Sequence, residues 1–466
     1  MIDDLVRALR LDLEASPPSL ALVGAGGKTT TLFSLGRRLL LPPYNYPTVL
    51  LTASTHLSGR LARQADAHFV IHSPREIEAL AHQLPSGVVA VTGPPAAGHE
   101  QEIMEESRVT GLEPETLARL RDFATQRRLP LLIEADGSRL RPLKAPAAHE
   151  PALPSWVRQV GVIAGLSGLG KPLESSFIHR PERFAALSGL SAGETVTPAA
   201  LARVLLHPEG GRKNIPVEAR KAVLLNGAAT SQRQAQGRYL AAQLLPAFDA
   251  VLVADLHADD GMQAPETQVF AVHEPAAAIL LAAGGSRRLG HPKQLLEWRG
   301  QPLVRWAAQT ALAAGLSPLI VVTGAYAAEV RLALENLPIE TRHNPDWEAG
   351  QSTSLACGVK ALPAETGSAV FMLSDQPYVT VELVRSLVEL HAASLAPIVA
   401  PLVDGQRANP VLFDRRTFAD LRQVTGDVGG RVLFARYKAT WLPWHDASVL
   451  LDVDTPEDYA RLQNLD

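Results

Sequence analysis

Short apolar runs bounded by glycine, proline and charged turns recur along the chain. They alternate with segments whose apolar residues fall three and four apart. Residues 19–23 read as a buried strand, and Leu32, Leu35, Leu39 and Leu40 then mark one face of a helix. Strands are predicted over 48–53, 87–92, 130–135 and 248–255, with a helix over 74–84. In the second half, the runs 279–283, 319–322 and 369–373 read as strands, and 303–312 and 327–334 as helices. This alternation predicts an α/β protein of two doubly wound, mostly parallel sheets.

The pattern lapses between His257 and Glu266, a polar, turn-rich stretch, so a junction is placed over 257–275 between domains 1–256 and 276–466. Within it, 269–272 is short and apolar and reads as an edge strand or a docking segment. At 466 residues the chain is too long for one ordinary core, which agrees with two domains.

Each half carries a strand that breaks into a glycine-rich loop. In the first half, Gly24-Ala25-Gly26-Gly27-Lys28-Thr29-Thr30 leads straight into the predicted helix. Backbone N–H groups at a helix start favour an anion, and a lysine and hydroxyls beside them suit a nucleotide phosphate with its Mg²⁺. The full phosphate-loop pattern would need glycine at position 22, where this chain has Leu22, so the motif is a shortened P-loop-like variant. The apolar run over 130–137 ends in two carboxylates, Glu134 and Asp136. Open α/β sheets bind ligands at such strand ends, and the two carboxylates are candidate Mg²⁺ ligands. The candidate occupant of this loop is ATP or GTP. His149 and His179 have no ligand spacing such as H-x-x-x-H between them and read as structural histidines.

The second loop, Leu281-Ala282-Ala283-Gly284-Gly285-Ser286, is followed by Arg288 and Lys293. Gly284 and Gly285 allow close approach of backbone to phosphate oxygens, while the arginine fork and the lysine point charge suit a triphosphate and its pyrophosphate leaving group. Asp375 ends the strand over 369–373 and is a candidate Mg²⁺ ligand. Ser352 and Ser354 enter a helix after the turn at 344–350; they are candidate nucleotide contacts, although capping alone would also explain them. Cys357 on the same helix reads as a buried small side chain.

Composition narrows the classes. A formal net charge of −4 offers no basic field to gather nucleic acid or an anionic membrane. One cysteine excludes an intramolecular disulfide and a cysteine-cluster metal site, which fits the cytoplasm. No apolar run reaches the roughly 18–20 residues of a spanning helix, and the first residues lack a signal-peptide pattern.

The spacing of the second loop resembles the nucleotidyltransferase signature L-A-A-G-x-S-x-R-x-G-x-x-K. Its short arginine-to-lysine interval resembles the molybdopterin branch, and Ala282-Ala283-Gly284 resembles the MocA-type molybdenum cofactor cytidylyltransferases. Asp375-Gln376-Pro377 is similar to that family's Asp-Gln-Pro motif. Leu451-Asp452-Val453-Asp454 is similar to its second metal-ligand segment, which implies Asp454 as a ligand, with Asp452 as the rival. Asn409, Asp427 and Arg431 fall in segments similar to those around the pterin substrate.

The resemblance implies a Rossmann-like domain that transfers CMP from CTP to Mo-molybdopterin with Mg²⁺ at Asp375 and Asp454. In the first half, the loop at 24–30, Glu134–Ser138, Pro142–Pro146, His149–Pro151 and His179–Glu182 resemble the YqeC-type accessory proteins of molybdenum hydroxylases. That implies molybdopterin and a molybdenum hydroxylase apoenzyme as partners. Transfer from GTP, transfer to another phosphorylated acceptor, and a non-catalytic cofactor-delivery chaperone are the alternatives.

Overall fold

The computed structural model of the protein describes residues 2, 4–55, 57–58, 63–95, 108–256, 267–286 and 289–464. The chain divides into two compact units, Met1–His273 and Glu274–Asp466.

The first unit is built on a nine-stranded sheet. Its strands are β1 (Ser19–Gly24), β2 (Thr48–Ala53), β3 (Ala67–Val70), β4 (Gly87–Thr92), β5 (Leu131–Glu134), β6 (Gln159–Gly165), β7 (Arg220–Asn226), β8 (Ala250–Leu256) and β9 (Thr267–His273). They lie in the order β9-β8-β7-β6-β1-β5-β2-β4-β3. All neighbouring pairs are parallel except β8 with β9, which run antiparallel with a register shift at Val253/Ala254. The segment read as a junction thus contains an edge strand, β9, that belongs to the first unit's sheet. Residues 257–266 lie outside the described residues.

Strands β2, β6 and β8 are buried at every position, as parallel strands covered on both faces must be. The covering helices include α1 (Lys28–Leu40), α2 (Pro114–Arg127) and α3 (Ser231–Leu244). Helix α1 approaches the sheet closely at Gly36, where an added Cβ would lie 3.2 Å from Val88. The chain leaves β1 toward β2 and leaves β5 toward β6, on opposite sides. Adjacent strands whose connections run in opposite directions open a crevice at their carboxyl ends, and both candidate segments of this unit lie there.

The second unit has a mixed sheet of eight strands. They are β10 (Ala276–Ala282), β11 (Leu319–Thr323), β12 (Glu340–His343), β13 (Ser368–Leu373), β14 (Ile398–Val403), β15 (Gln406–Arg407), β16 (Val411–Asp414) and β17 (Ala439–Pro443). The order is β12-β11-β10-β13-β16-β14-β15, with β17 parallel to β14. The first four are parallel and wound as expected from the pattern. The sheet then departs from a purely parallel one, because β16 runs antiparallel to both β13 and β14.

Alternate residues of the central strands feed two cores. Leu280, Val321 and Val370 pack with α4 (Leu303–Ala313) and α6 (Val381–Ser394) on one face. Ile279, Val322 and Phe371 pack with α5 (Gln351–Lys360) on the other. Helix α7 (Pro456–Asn464) ends the described chain; its Leu462 packs with Trp298, Leu303 and Val453.

Candidate functional site

In the second unit, β10 delivers the glycine loop and β13 delivers Asp375. The loop is held from beneath by Gln294, whose Nε2 donates to the carbonyls of Ala282 at 3.2 Å and Gly284 at 2.6 Å. Ser286, in the left-handed region at φ 50°, donates its hydroxyl to Gln294 Oε1 at 3.2 Å and accepts the Lys293 N–H at 2.9 Å. The loop and the Lys293 turn are therefore one hydrogen-bonded unit. Arg288 lies outside the described residues.

Trp347 packs against the glycine loop. An added Cβ on Gly285 would fall 2.9 Å from its ring, and one on Gly324 would fall 2.8 Å from it, so only glycine fits under the indole at these points.

Lys293 projects its ammonium onto Asp375 Oδ2, with which it pairs closely, and onto Asp454 Oδ1 at 2.8 Å. Burial works against the lysine's charge, but the two carboxylates outweigh it and the pKa is raised. A hydrogen bond from Val453 N to the Asp375 carbonyl, 3.1 Å, ties the Asp454 segment to the end of β13. Asp452 instead accepts the Gln376 amide at 2.6 Å. The second oxygen of Asp375, Oδ1, is buried without a hydrogen-bond partner among the described residues. A buried bare carboxylate oxygen is costly, and a cation is the ligand it suits. Among the described residues no three His, Cys, Asp or Glu side chains converge as a metal site.

Ser352 and Ser354 are buried at the start of α5. Asn344 Nδ2 donates to Ser354 Oγ at 3.0 Å and to Thr353 Oγ1 at 2.8 Å, which fixes the turn. Asp427 Oδ1 accepts the Gln351 N–H at 3.2 Å and so caps this helix start from a distant loop. Asn409 is half-buried after β15, and Arg431 is exposed on the turn that follows Asp427. Cys357 is half-buried on α5, and burial pushes its thiol up.

In the first unit, Gly24, Gly26 and Gly27 all have positive φ, 96°, 91° and 134°, and Gly27 precedes α1 with no side-chain cap. The first N–H groups of α1 have no intrahelical acceptor, as at any helix start. Lys28 does not reach into solvent. It is buried, donates to the Gly24 carbonyl at 2.7 Å, and pairs with Asp136 at 3.1 Å and Glu134 at 3.8 Å. Burial lowers its pKa, the two carboxylates raise it, and the net direction is upward.

From there a ladder of alternating charge runs through the motifs of this half. Lys144 bridges Asp136 at 2.8 Å and Glu150 at 2.9 Å, and Arg180 takes Glu150 at 2.7 and 3.0 Å. Burial raises the Glu150 carboxyl, but Arg180 and Lys144 prevail and hold it at about 2. His179, beside Arg180 and Lys144, is lowered to about 4 by burial and by those two cations. His149 is exposed. Asp136 also accepts the Gly24 N–H, and Glu134 accepts the Thr29 hydroxyl at 3.2 Å. Both carboxylates are thus already engaged by protein donors, and a metal would have to displace them.

Asn226 clamps the loop from β7. Its Nδ2 donates to the Gly26 carbonyl at 2.8 Å, and its Oδ1 accepts from Gly227 N and Leu256 N. In the sequence, Asn226 of Val223-Leu224-Leu225-Asn226-Gly227 stands where an Asn-Lys-x-Asp base-reading motif could begin, but the lysine and aspartate are absent; Asn344 and Trp347 lie in the turn over 344–350, and Gln294 lies one residue beyond the loop signature.

Comparison with known proteins places both units. The family described as YqeC protein matches residues 20–182, and the MobA-like NTP transferase domain matches residues 278–441. The uncharacterized protein YqeC of Escherichia coli (strain K12) is 32% identical over 47% of this chain and 80% of its own length. The nicotine blue oxidoreductase of Paenarthrobacter nicotinovorans is 36% identical over 40% of this chain and 94% of its own. The purine catabolism protein PucB of Bacillus subtilis (strain 168) is 31% identical over 40% and 94%. The chain therefore belongs to the YqeC family in its first unit and carries a MobA-like NTP transferase domain in its second. Among the described residues no helix is long and apolar enough to cross a membrane.

Proposed function

We propose that the second unit is a molybdenum cofactor cytidylyltransferase, in which the terminal phosphate of Mo-molybdopterin attacks the α-phosphorus of CTP. The new phosphoanhydride bond forms as the bond to the β-phosphate breaks, and pyrophosphate leaves. The observation that carries this reading is the meeting of Lys293, Asp375 and Asp454 beside a glycine loop. Two anions must approach each other in this reaction, and no protein nucleophile is needed. Positioning and charge neutralisation supply the rate enhancement.

Lys293 neutralises charge that grows on the leaving pyrophosphate, and the loop N–H groups orient the triphosphate. Asp375 and Asp454 would hold Mg²⁺, which when bound supplies Lewis-acid polarisation of the phosphates; the bare Asp375 Oδ1 fits that role. Arg288 would add a second cation. Choice of CTP rests on the resemblance of Ala282-Ala283-Gly284, and Mo-molybdopterin as acceptor rests on the family likeness. Asn409, Asp427 and Arg431 are assigned to the acceptor side on the same ground.

For the first unit we infer a nucleotide site at Gly24–Thr30 for ATP or GTP. Mg²⁺ would reach Glu134 and Asp136 only by displacing Lys28 and Lys144 from them. Fusion would raise the effective concentration of one step's product near the next, and a molybdenum hydroxylase apoenzyme would be the recipient.

A second reading is favoured by the 36% identity to a protein named as an oxidoreductase. It predicts a redox turnover in which no triphosphate is consumed. Pyrophosphate release from CTP, GTP or ATP, dependent on molybdopterin, separates the two.

A further inference from the structure

Gln294 is among the least accessible polar residues of the second unit, 1% exposed, and every polar atom of its side chain is used. A fully satisfied buried amide fixes geometry more than it adds stability. Here both carbonyls it holds belong to the glycine loop, ten and twelve residues upstream. The Gly284–Gly285 peptide is trans, as each cis bond among the described residues precedes a proline elsewhere. In a trans peptide the N–H points opposite to the C=O. With the Gly284 carbonyl held toward Gln294 at 2.6 Å, the Gly285 N–H is turned the other way, and among the described residues no acceptor meets it.

We propose that Gln294 is a positioning residue, which locks the Gly284–Gly285 peptide so that the Gly285 N–H donates to an oxygen of the bound triphosphate. This rests on the nucleotidyltransferase reading of the second unit. Gln294 touches no substrate; it acts through the loop. Its Oε1, by holding Ser286, carries the same constraint to the Lys293 backbone. A peptide free to flip would present the Gly284 carbonyl to the phosphate instead, replacing an attraction by a repulsion.

The test uses the full chain and two variants. Gln294→Glu keeps the size and the acceptor for Ser286 but removes the donor to the two carbonyls. Gln294→Met keeps the volume and removes both functions. Equilibrium binding of CTP, GTP and ATP with Mg²⁺ is measured together with pyrophosphate release and the thermal midpoint. Loss of one fixed donor to a charged oxygen is expected to weaken triphosphate binding about tenfold. The Glu variant should be the weaker of the two, and KM for the triphosphate should rise by more than kcat falls.

Unchanged triphosphate affinity in both variants overturns the inference. So does loss of affinity that merely follows loss of native fold in both, since Gln294 would then be only a core residue. If wild type binds no triphosphate, the inference falls together with the reading it rests on. If wild type binds and turns over while the variants match it, only the role of Gln294 falls.

Discussion

Lys293 and Asp454 stand 161 residues apart in the sequence and meet at 2.8 Å, with Asp375 on the other side of the same ammonium. In the proposed reaction this lysine faces a charged substrate. If its cation stabilises the charge that develops on the leaving pyrophosphate, as proposed, Lys293→Ala lowers kcat by about 10²–10³-fold. Steady-state pyrophosphate release checks this; a fall of less than about threefold would remove Lys293 from the chemistry.

Gly285 and Trp347 constrain each other. In Gly285→Ala the new Cβ would lie 2.9 and 3.0 Å from the indole, so ring or loop must give way, at a cost of about 1–3 kcal/mol. Triphosphate affinity should fall, and Trp347→Leu in the same chain should restore part of it. Isothermal titration of the single and double variants reads this, and an additive loss would show that the clash is not the cause.

Asp136 lies buried between Lys28 and Lys144. Asp136→Asn leaves two buried ammonium groups without their shared counter-charge, which typically costs about 3–5 kcal/mol. The chemical denaturation transition of the first unit should shift accordingly, while pyrophosphate release by native protein stays tied to the second unit. A shift below about 1 kcal/mol would mean that the ladder relaxes without it.

Acid should destabilise the first unit in two steps. His179 has a folded pKa of about 4 against an ordinary 6.5, so stability is full above 6.5 and falls as pH drops through about 4. Glu150 at about 2 adds stability that is present above 4.5 and lost as pH falls toward 2. Urea midpoints measured from pH 7 to pH 4 should therefore decline, and His179→Gln should flatten that decline. An unchanged slope in the variant would assign the loss to other groups.

The strands were legible because parallel strands covered on both faces are short continuous apolar runs, and β1, β2, β10 and β13 have that form. Asp375 stood out for the same reason, as the first charge after such a run. Side chains that act by holding backbone left no trace. Asn226 grips a glycine-loop carbonyl 200 residues away and Gln294 grips two carbonyls ten and twelve residues upstream, and nothing in residue type or spacing announces such a grip. The burial of Lys28 was equally hidden, since it depends on Asp136 and Glu134 arriving from β5. The antiparallel β16 escaped because its run over 411–414 is too short to declare a direction.

The most direct measurement is pyrophosphate release by the purified full chain given Mg²⁺, Mo-molybdopterin, and CTP, GTP or ATP in separate reactions. Lys293→Ala and Asp375→Ala serve as controls. Release from CTP alone, lost in both variants, is the predicted result. Release from GTP would keep the mechanism and overturn the inference from Ala282-Ala283-Gly284. No release from any triphosphate by protein that still binds the cofactor would contradict the nucleotidyltransferase account and leave the redox reading or a delivery chaperone in its place.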